Sequence, residues 1–338
     1  MTVFALRSIS YAVLAVAAAA CLPAQAQNVA IGPAYTRVVI FGDSLSDSGN
    51  NGAFLGFPGG FAQVVNSDAY IPSLPYVPAG VYSNGPVWAS SFASQLGLSA
   101  GPSQTGGSNY AYGGAVTSGT GFPFSLTVQM GQYLASPGAA SAATTLFVVA
   151  GGGNNARAAA GALPPNPTPL QVAAAATAAA TTFASDIGNI VDSLQAVGAQ
   201  RIVVWDVPNL GAAPAVLSQG ALAAGVGSFF AQTMNSALAT RLTGEAGVST
   251  FDIYGLIGQI GANPGAYGFT NTTNACVVAA GCSNPSKYVF WDGIHPSAAA
   301  HQVIANAMVA SVVPEPGMVW LMMAGLVGVG AVLRQKRA

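Results

Sequence analysis

A chain of 338 residues can hold one large domain or two ordinary ones, and it is long enough to bury a core either way. Hydrophobic residues make up 52% and charged residues 6%, but much of the apolar bias is alanine and glycine. The uncharged stretch between Asp68 and Arg157 is rich in Ser, Thr, Asn, Gln, Gly and Pro without a long apolar run, so it reads as neutral surface and loop rather than a membrane span. Residues 27–313 carry nine Asp and Glu against five Lys and Arg, a net charge of −4, with no basic stripe or patch, which argues against a nucleic-acid partner.

Residues 1–26 hold Arg7, the apolar run "YAVLAVAAAA" and then "AQA", the pattern of a secretory signal peptide cut after Ala26. A lipoprotein reading through Cys21 is disfavoured because "AAAC" lacks the usual leucine three residues before the cysteine. Next, "TRVVIF" at 36–41 is a short β-branched run, as a strand covered on both faces should be, and it breaks abruptly into "GDSLSDSGNN". Residues 52–86 interleave Pro, Gly, Phe and Tyr with no period, an irregular insertion of a kind that is more often functional than accidental. "TTLFVVAG" at 144–151 and "RIVVWDV" at 201–207 repeat the buried-strand pattern, separated by a helical stretch over 169–199. A further helix is expected over 222–243, then the short strand "STFDIY" at 249–254, and a last helix beginning at Pro296. This alternation predicts an α/β fold with a central parallel sheet flanked by helices on both faces.

After removal of the signal only Cys276 and Cys282 remain, and in an oxidising compartment they are read as one small-loop disulfide. The chain ends in "VPEPGMVWLMMAGLVGVGAVLRQKRA", with an apolar run from Gly317 to Leu333 that is short for a stable span, followed by Arg334, Lys336 and Arg337.

Reactive residues in an open α/β sheet gather where strands end and helices begin, and Ser44 stands at such a junction. A serine hydroxyl needs a base, usually a histidine oriented by a carboxylate. The chain has two histidines, His295 and His301. His295 lies in "FWDGIHPS", where Asp292, three residues earlier, can reach one ring nitrogen across a short turn; His301, among alanines one turn into the next helix, reads as a helix-surface or packing residue. The competing reading of Ser44 is a turn serine capping the next helix. Asp43 and Asp47 raise the alternative of a two-carboxylate glycosidase, although turn and helix-start chemistry accounts for both. Two histidines leave too few ligands for metal hydrolysis, and no G-x-S-x-G elbow occurs anywhere.

Four blocks in order, "FGDSLSDSGNN" at 41–51, "NYAYGGA" at 109–115, "VVAGGGNN" at 148–155 and "WDGIHPSAAAHQVIA" at 291–305, resemble the GDSL, or SGNH, hydrolase family in its branch of secreted bacterial esterases. The resemblance spans roughly residues 36–309 and implies a three-layer α/β/α sandwich of the SGNH-hydrolase, flavodoxin-like kind. It implies a secreted serine esterase or lipase that needs no cofactor, with catalysis through an acyl-enzyme. By the same resemblance Ser44 is the nucleophile, His295 the base and then acid, and Asp292 its orienting partner. The oxyanion donors would be the Ser44 N–H, the Gly114 N–H and the Asn154 amide, with Gly113 the neighbouring alternative to Gly114. Asn155 stands where the family usually has Asp. The C-terminus is similar to the PEP-CTERM sorting tail, with Pro-Glu-Pro at 314–316, an apolar helix and a basic end. It implies an exosortase as partner, alongside signal peptidase, and export to the envelope or extracellular matrix with a transient inner-membrane anchor. The organisation expected is therefore a signal peptide at 1–26, the hydrolase domain at 27–313 and a sorting tail at 314–338. The uncharged insertion and "TSGTGFPF" nearby suggest a neutral pocket wall, hence a neutral ester: a lipid, an acylated polysaccharide or a small alcohol ester. Polysaccharide deacetylation and a catalytically silent matrix protein on the same fold are the alternatives.

Overall fold

The computed structural model describes residues 35–278 and 282–313. The signal peptide and sorting tail expected at the two ends lie outside the described residues. Among the described residues no helix is long and apolar enough to cross a membrane.

Four strands form one wholly parallel sheet: β1 (Arg37–Gly42), β2 (Thr145–Ala150), β3 (Arg201–Trp205) and β4 (Val248–Phe251), adjacent in that order. Residues 108–112 run along the free edge of β1, joined by a parallel bridge between Ile40 and Asn109 and by backbone bonds from Ile40 N–H to the Ser108 carbonyl, from Tyr110 N–H to Ile40 and from Tyr112 N–H to Gly42. Counting this segment in chain order, the sheet runs 2-1-3-4-5, which is the flavodoxin-like arrangement, and its order reverses between β1 and β2. A second, two-stranded parallel sheet pairs β5 (Asn271–Ala275) with β6 (Tyr288–Phe290).

The helices are α1 (Asn50–Phe54), α2 (Trp88–Gln95), α3 (Leu126–Leu134), α4 (Gly153–Gly161), α5 (Pro169–Ala196), α6 (Pro214–Leu217), α7 (Ala221–Arg241), α8 (Ile253–Ala262) and α9 (Ala298–Val312). Successive strand residues point to opposite faces of a sheet, so a strand buried on both sides reads as one continuous apolar run. Val39, Phe41, Phe147, Val149, Ile202 and Val204 pack into one cluster with Phe183, Ile187, Ile190 and Leu194 of α5 and Phe230, Met234 and Leu238 of α7. Their neighbours Val38, Ile40, Leu146, Val148, Val203 and Trp205 pack on the other side with Trp88 and Phe92 of α2, Leu256 and Ile260 of α8, and Ile304 and Met308 of α9. These two clusters make the three-layer α/β/α sandwich.

Two boundaries differ from the sequence reading. The strand expected over "STFDIY" stops at Phe251, because the Asp252 side chain accepts the Gly255 N–H and starts α8. The last helix begins at Ala298 rather than at Pro296: the Ser297 hydroxyl accepts the Ala300 N–H as its N-cap, and Pro296 belongs to the turn before it.

Candidate active site

β1 ends at Gly42, and the reason is steric as well as conformational. A Cβ there would lie 2.6 Å from the Ala150 carbonyl oxygen. The bare backbone is gripped instead by the buried Gln129 amide, whose Oε1 accepts the Gly42 N–H and whose Nε2 donates to the Gly42 carbonyl, both at 2.8 Å. The chain then turns sharply, with the Asp43 carbonyl accepting the N–H groups of Ser46 and Asp47. Ser44 sits on this turn at the carboxyl end of β1, beside the point where the strand order reverses, which is where open α/β sheets present their ligands.

The polar residues that follow brace the turn. Asp47, fully buried, accepts backbone N–H groups from Gly49, Asn50, Asn51 and Gly113 at 2.8, 2.6, 3.2 and 3.0 Å. The Asn50 amide donates to the carbonyls of Asn109 and Ala111, and the Asn109 amide donates to the Ser46 carbonyl. Asn51 donates to the Gly113 carbonyl and the Tyr82 hydroxyl. "GDSLSDSGNN" and "NYAYGG" are thus two halves of one hydrogen-bonded unit. Burial pushes the carboxyls of Asp43 and Asp47 up to about 6, with the surrounding N–H donors pulling the other way. Asp47 is committed to its backbone donors, so the carboxylate pair that suggested a glycosidase is not a pair of free groups facing a common substrate.

The turn between β6 and α9 supplies the other side. His295 Nε2 lies 2.8 Å from Ser44 Oγ, and His295 Nδ1 lies 2.8 Å and 3.0 Å from the two oxygens of Asp292. All three side chains are buried. The same Asp292 carboxylate accepts the N–H groups of Ile294 and His295 at 2.9 and 2.8 Å, which fold the Asp-x-x-His turn. Its Oδ2 also accepts the Tyr76 hydroxyl at 2.9 Å. Ser44 is therefore no helix cap: its hydroxyl meets a ring nitrogen, and the first N–H groups of α1 are met by the Asp47 carboxylate instead.

His301 lies apart from this contact chain. It is buried, rather than at the helix surface, and neither ring nitrogen has a partner among the described residues. Burial, and secondarily the His295 charge, hold its pKa down at about 3.

Gly114 and Asn154 line the same cavity as Ser44 and His295. Of the two candidate glycines, Gly113 already spends its N–H on Asp47, whereas the Gly114 N–H has no hydrogen bond among the described residues. Gly114 has φ +84°, a left-handed conformation that a side chain disfavours, and Gly113 faces the Tyr82 ring so closely that a Cβ would collide with it. Asn154 stands in the first turn of α4, and its Nδ2 donates to the Ala115 carbonyl at 2.9 Å. Asn155 faces away from this line of contacts: its Oδ1 accepts the Thr117 N–H and its Nδ2 donates to Thr117 Oγ1, which in turn donates to Asp186 at 2.6 Å. Cys276 and Cys282 are joined in a disulfide with Cα atoms 5.5 Å apart. The adjoining Val277 N–H donates to the carbonyl of Trp291, the residue before Asp292.

The cavity over Ser44 holds about 320 Å³. Ile71, Pro72 and Ser73 of the insertion wall one side and Phe122 and Pro123 of "TSGTGFPF" another, so both segments contribute uncharged surface. The far wall carries Arg157. Among the described residues no three His, Cys, Asp or Glu side chains come together as metal ligands. Sequence reasoning missed Tyr76, Tyr82, Gln129 and Arg157. Tyr76 and Tyr82 lie within the insertion flagged for its irregularity, the one signal that could have pointed to them.

A serine hydroxyl bonded to an imidazole that is itself bonded to a buried carboxylate, under a cavity with free N–H donors, is an arrangement able to perform acyl transfer. The family model for GDSL-like lipase/acylhydrolase matches residues 38–308, and the PEP-CTERM protein-sorting motif matches residues 312–337. The chain belongs to the GDSL-like lipase/acylhydrolase family. Similar proteins include a GDSL esterase/lipase of Arabidopsis thaliana, 35% identical over an alignment that covers 37% of this chain and 42% of the relative. The anther-specific proline-rich protein APG of the same plant is 32% identical over 38% of this chain and 28% of its own length. A further Arabidopsis thaliana GDSL esterase/lipase is 31% identical over 34% of this chain and 38% of its own. The matched region spans less than half the length of each of these relatives. The sorting motif indicates export and sorting to the cell envelope.

Proposed function

We propose that the protein is a secreted serine esterase or lipase that hydrolyses carboxylic esters through an acyl-enzyme. The observation that carries this reading is the unbroken contact chain Ser44–His295–Asp292 at 2.8 Å and 2.8 Å, buried at the floor of a cavity. In it Ser44 Oγ attacks the ester carbonyl while His295 Nε2 takes its proton. Asp292 holds the ring with Nδ1–H donating to it and stabilises the imidazolium that forms. His295 then returns the proton to the leaving alkoxide. Water attacks the acyl-enzyme with the same base, and release of the acid restores Ser44. The negative oxygen of each tetrahedral intermediate would be met by the N–H groups of Ser44 and Gly114 and by the Asn154 amide. The two backbone donors have no hydrogen-bond partner among the described residues, and Asn154 has a second amide hydrogen beyond the one given to Ala115. The uncharged walls at Ile71, Pro72, Phe122 and Pro123 suit a neutral acyl group. We take the signal peptide at 1–26 and exosortase processing of the tail as the route to the envelope, with any inner-membrane anchoring transient.

The test is hydrolysis of a short p-nitrophenyl ester by the purified protein, with Ser44→Ala, His295→Ala and the double variant beside it. Because nucleophile and base act as a unit, each single change should abolish nearly all turnover and the double variant should be little worse. Activity surviving in Ser44→Ala would overturn the assignment.

A further inference from the structure

The cavity over Ser44 shares Arg157 and Leu210 with a second, larger cavity of about 670 Å³. Its walls come from the end of α4, the proline-rich loop at 162–168, the start of α5 and the first half of α7; apart from Arg157 and Gln219 every lining residue is apolar, glycine or proline. Pro164, Pro167 and Pro169 fix the backbone of one wall, so this hollow is built rather than left by a floppy loop. Leu222 and Phe229 on α7 expose 77% and 41% of their surface beside it, apolar area with nothing packed on it.

Arg157 stands at the junction. It lies three residues after Asn154 on α4, a spacing that puts both side chains on one helical face with Cβ atoms about 5–6 Å apart. It is half-buried, and among the described residues it makes no ion pair and no hydrogen bond. Arg241, by contrast, is held by both Asp192 and Glu245. The other titratable groups lining the first cavity are Asp43, Tyr82 and His295: a buried carboxyl that accepts the Leu45 N–H and feels the Arg157 charge without bonding to it, a hydroxyl engaged with Asn51 and the Ser73 carbonyl, and an imidazole engaged with Ser44 and Asp292. A half-buried guanidinium with a planar fork of donors and no hydrogen-bond partner among the described residues favours a carboxylate or phosphate.

We propose that the two cavities form one substrate groove. The ester carbonyl lies at Ser44, an anionic group a few bonds away pairs with Arg157, and a second apolar chain of the same molecule passes Arg157 into the second cavity. The substrate class is then an acidic amphiphilic ester. This rests on the esterase reading above and adds a specificity-determining residue to it.

The experiment compares kcat/KM of the full-length protein on dihexanoyl phosphatidic acid and on dihexanoylglycerol, each below its aggregation concentration. A charge-assisted contact predicts a preference for the anionic ester of about tenfold or more. Arg157→Gln should bring the ratio of the two rates close to one, and Arg157→Lys should retain part of it. Ala223→Trp, which fills the second cavity, should raise KM for dioctanoyl phosphatidic acid several-fold with little change in kcat. A binding arm uses Ser44→Ala, titrated calorimetrically with dihexanoyl phosphatidic acid and, separately, with inorganic phosphate. The amphiphile should bind more tightly than phosphate, and adding Arg157→Gln should weaken it about tenfold. Equal wild-type rates on both esters, with a ratio unmoved by Arg157→Gln, overturn the groove and leave the esterase reading standing. Arg157-dependent binding to Ser44→Ala without hydrolysis of either ester by wild type supports the groove and overturns the esterase. Inorganic phosphate binding as tightly as the amphiphile overturns the role of the second cavity.

Discussion

Acid should unfold this protein partly through His301, and the structure sets the size of the effect. The side chain is fully buried on α9 and its pKa is held at about 3 against an ordinary value of 6.5. The folded state thus keeps His301 neutral where the unfolded chain protonates it. Between those two values the unfolded state binds more protons, so the stabilisation is present above pH 6.5 and is lost as pH falls toward 3. From pH 7 to pH 4.5 the loss is on the order of 2–3 kcal/mol, because each pH unit below the unfolded value costs about 1.4 kcal/mol. Asp43 and Asp47, raised to about 6, and Asp206, raised to about 7 by burial, act in the opposite direction. Their folded-state protonation adds stability as pH falls through the raised values, so the wild-type profile alone is a mixture. The informative quantity is the stability difference between wild type and His301→Leu, in which the carboxylate contributions cancel. Urea unfolding at pH 7, 6, 5 and 4.5 should show His301→Leu equal to or modestly more stable than wild type at pH 7, since no hydrogen bond within the described residues is lost. The gap should widen in the variant's favour by roughly 2–3 kcal/mol at pH 4.5. A gap that stays constant across the series would refute the claim that His301 is buried in its neutral form.

Tyr76→Phe removes the hydroxyl that donates to Asp292, so kcat on a p-nitrophenyl ester should fall roughly tenfold with KM little changed, the cost of one hydrogen bond to a charged group. Asn154→Ala should lower kcat by roughly 10²- to 10³-fold if its amide meets the oxyanion. Asn155→Asp replaces a donor to Thr117 Oγ1 with a second carboxylate competing with Asp186 for one hydroxyl proton, so urea unfolding should register a loss of about 1–3 kcal/mol while kcat changes by less than about tenfold. Intact-mass measurement with alkylation should find one Cys276–Cys282 bridge, and its reduction should cost about 2 kcal/mol, given so short a loop.

The sheet was legible because buried parallel strands leave a signal in consecutive residues: the four runs at 36, 144, 201 and 249 all lie where strands begin. The edge segment at 108–112 escaped because "SNYAY" is neither β-branched nor continuously apolar. It is held by hydrogen bonds to β1 and by Asn50, contacts that no local pattern encodes. Asp292 and His295 were readable for the opposite reason, since their pairing is made within one turn. Tyr76 meets Asp292 across 216 positions, and nothing near either residue announces it. His301 shows that alanines on a helix do not decide between an exposed and a packed face: the sequence left both readings open, and here α9 packs with His301 inside.

The charge pattern carries a further consequence. From Asp68 to Arg157 the chain is uncharged, and that stretch supplies the Ile71–Ser73 and Phe122–Pro123 walls of the cavity over Ser44 as well as its free Gly114 N–H. Neutral walls serve such a site because a charged side chain there would either pair with the substrate's neutral portion poorly or compete for the donors that an oxyanion needs. The first charge after the stretch, Arg157, falls one helical turn beyond Asn154, on the wall where the two cavities meet. If the ester carbonyl sits at Ser44 as proposed, the fixed positive charge of Arg157 on the same cavity wall would also favour the negative intermediate over the neutral ester, to an extent that grows as the groove loses water. Arg157→Gln should therefore lower kcat on neutral esters as well as on acidic ones, by the smaller factor. That factor should shrink with added salt if the side chain is wetted in the working enzyme, and stay fixed if substrate seals the groove.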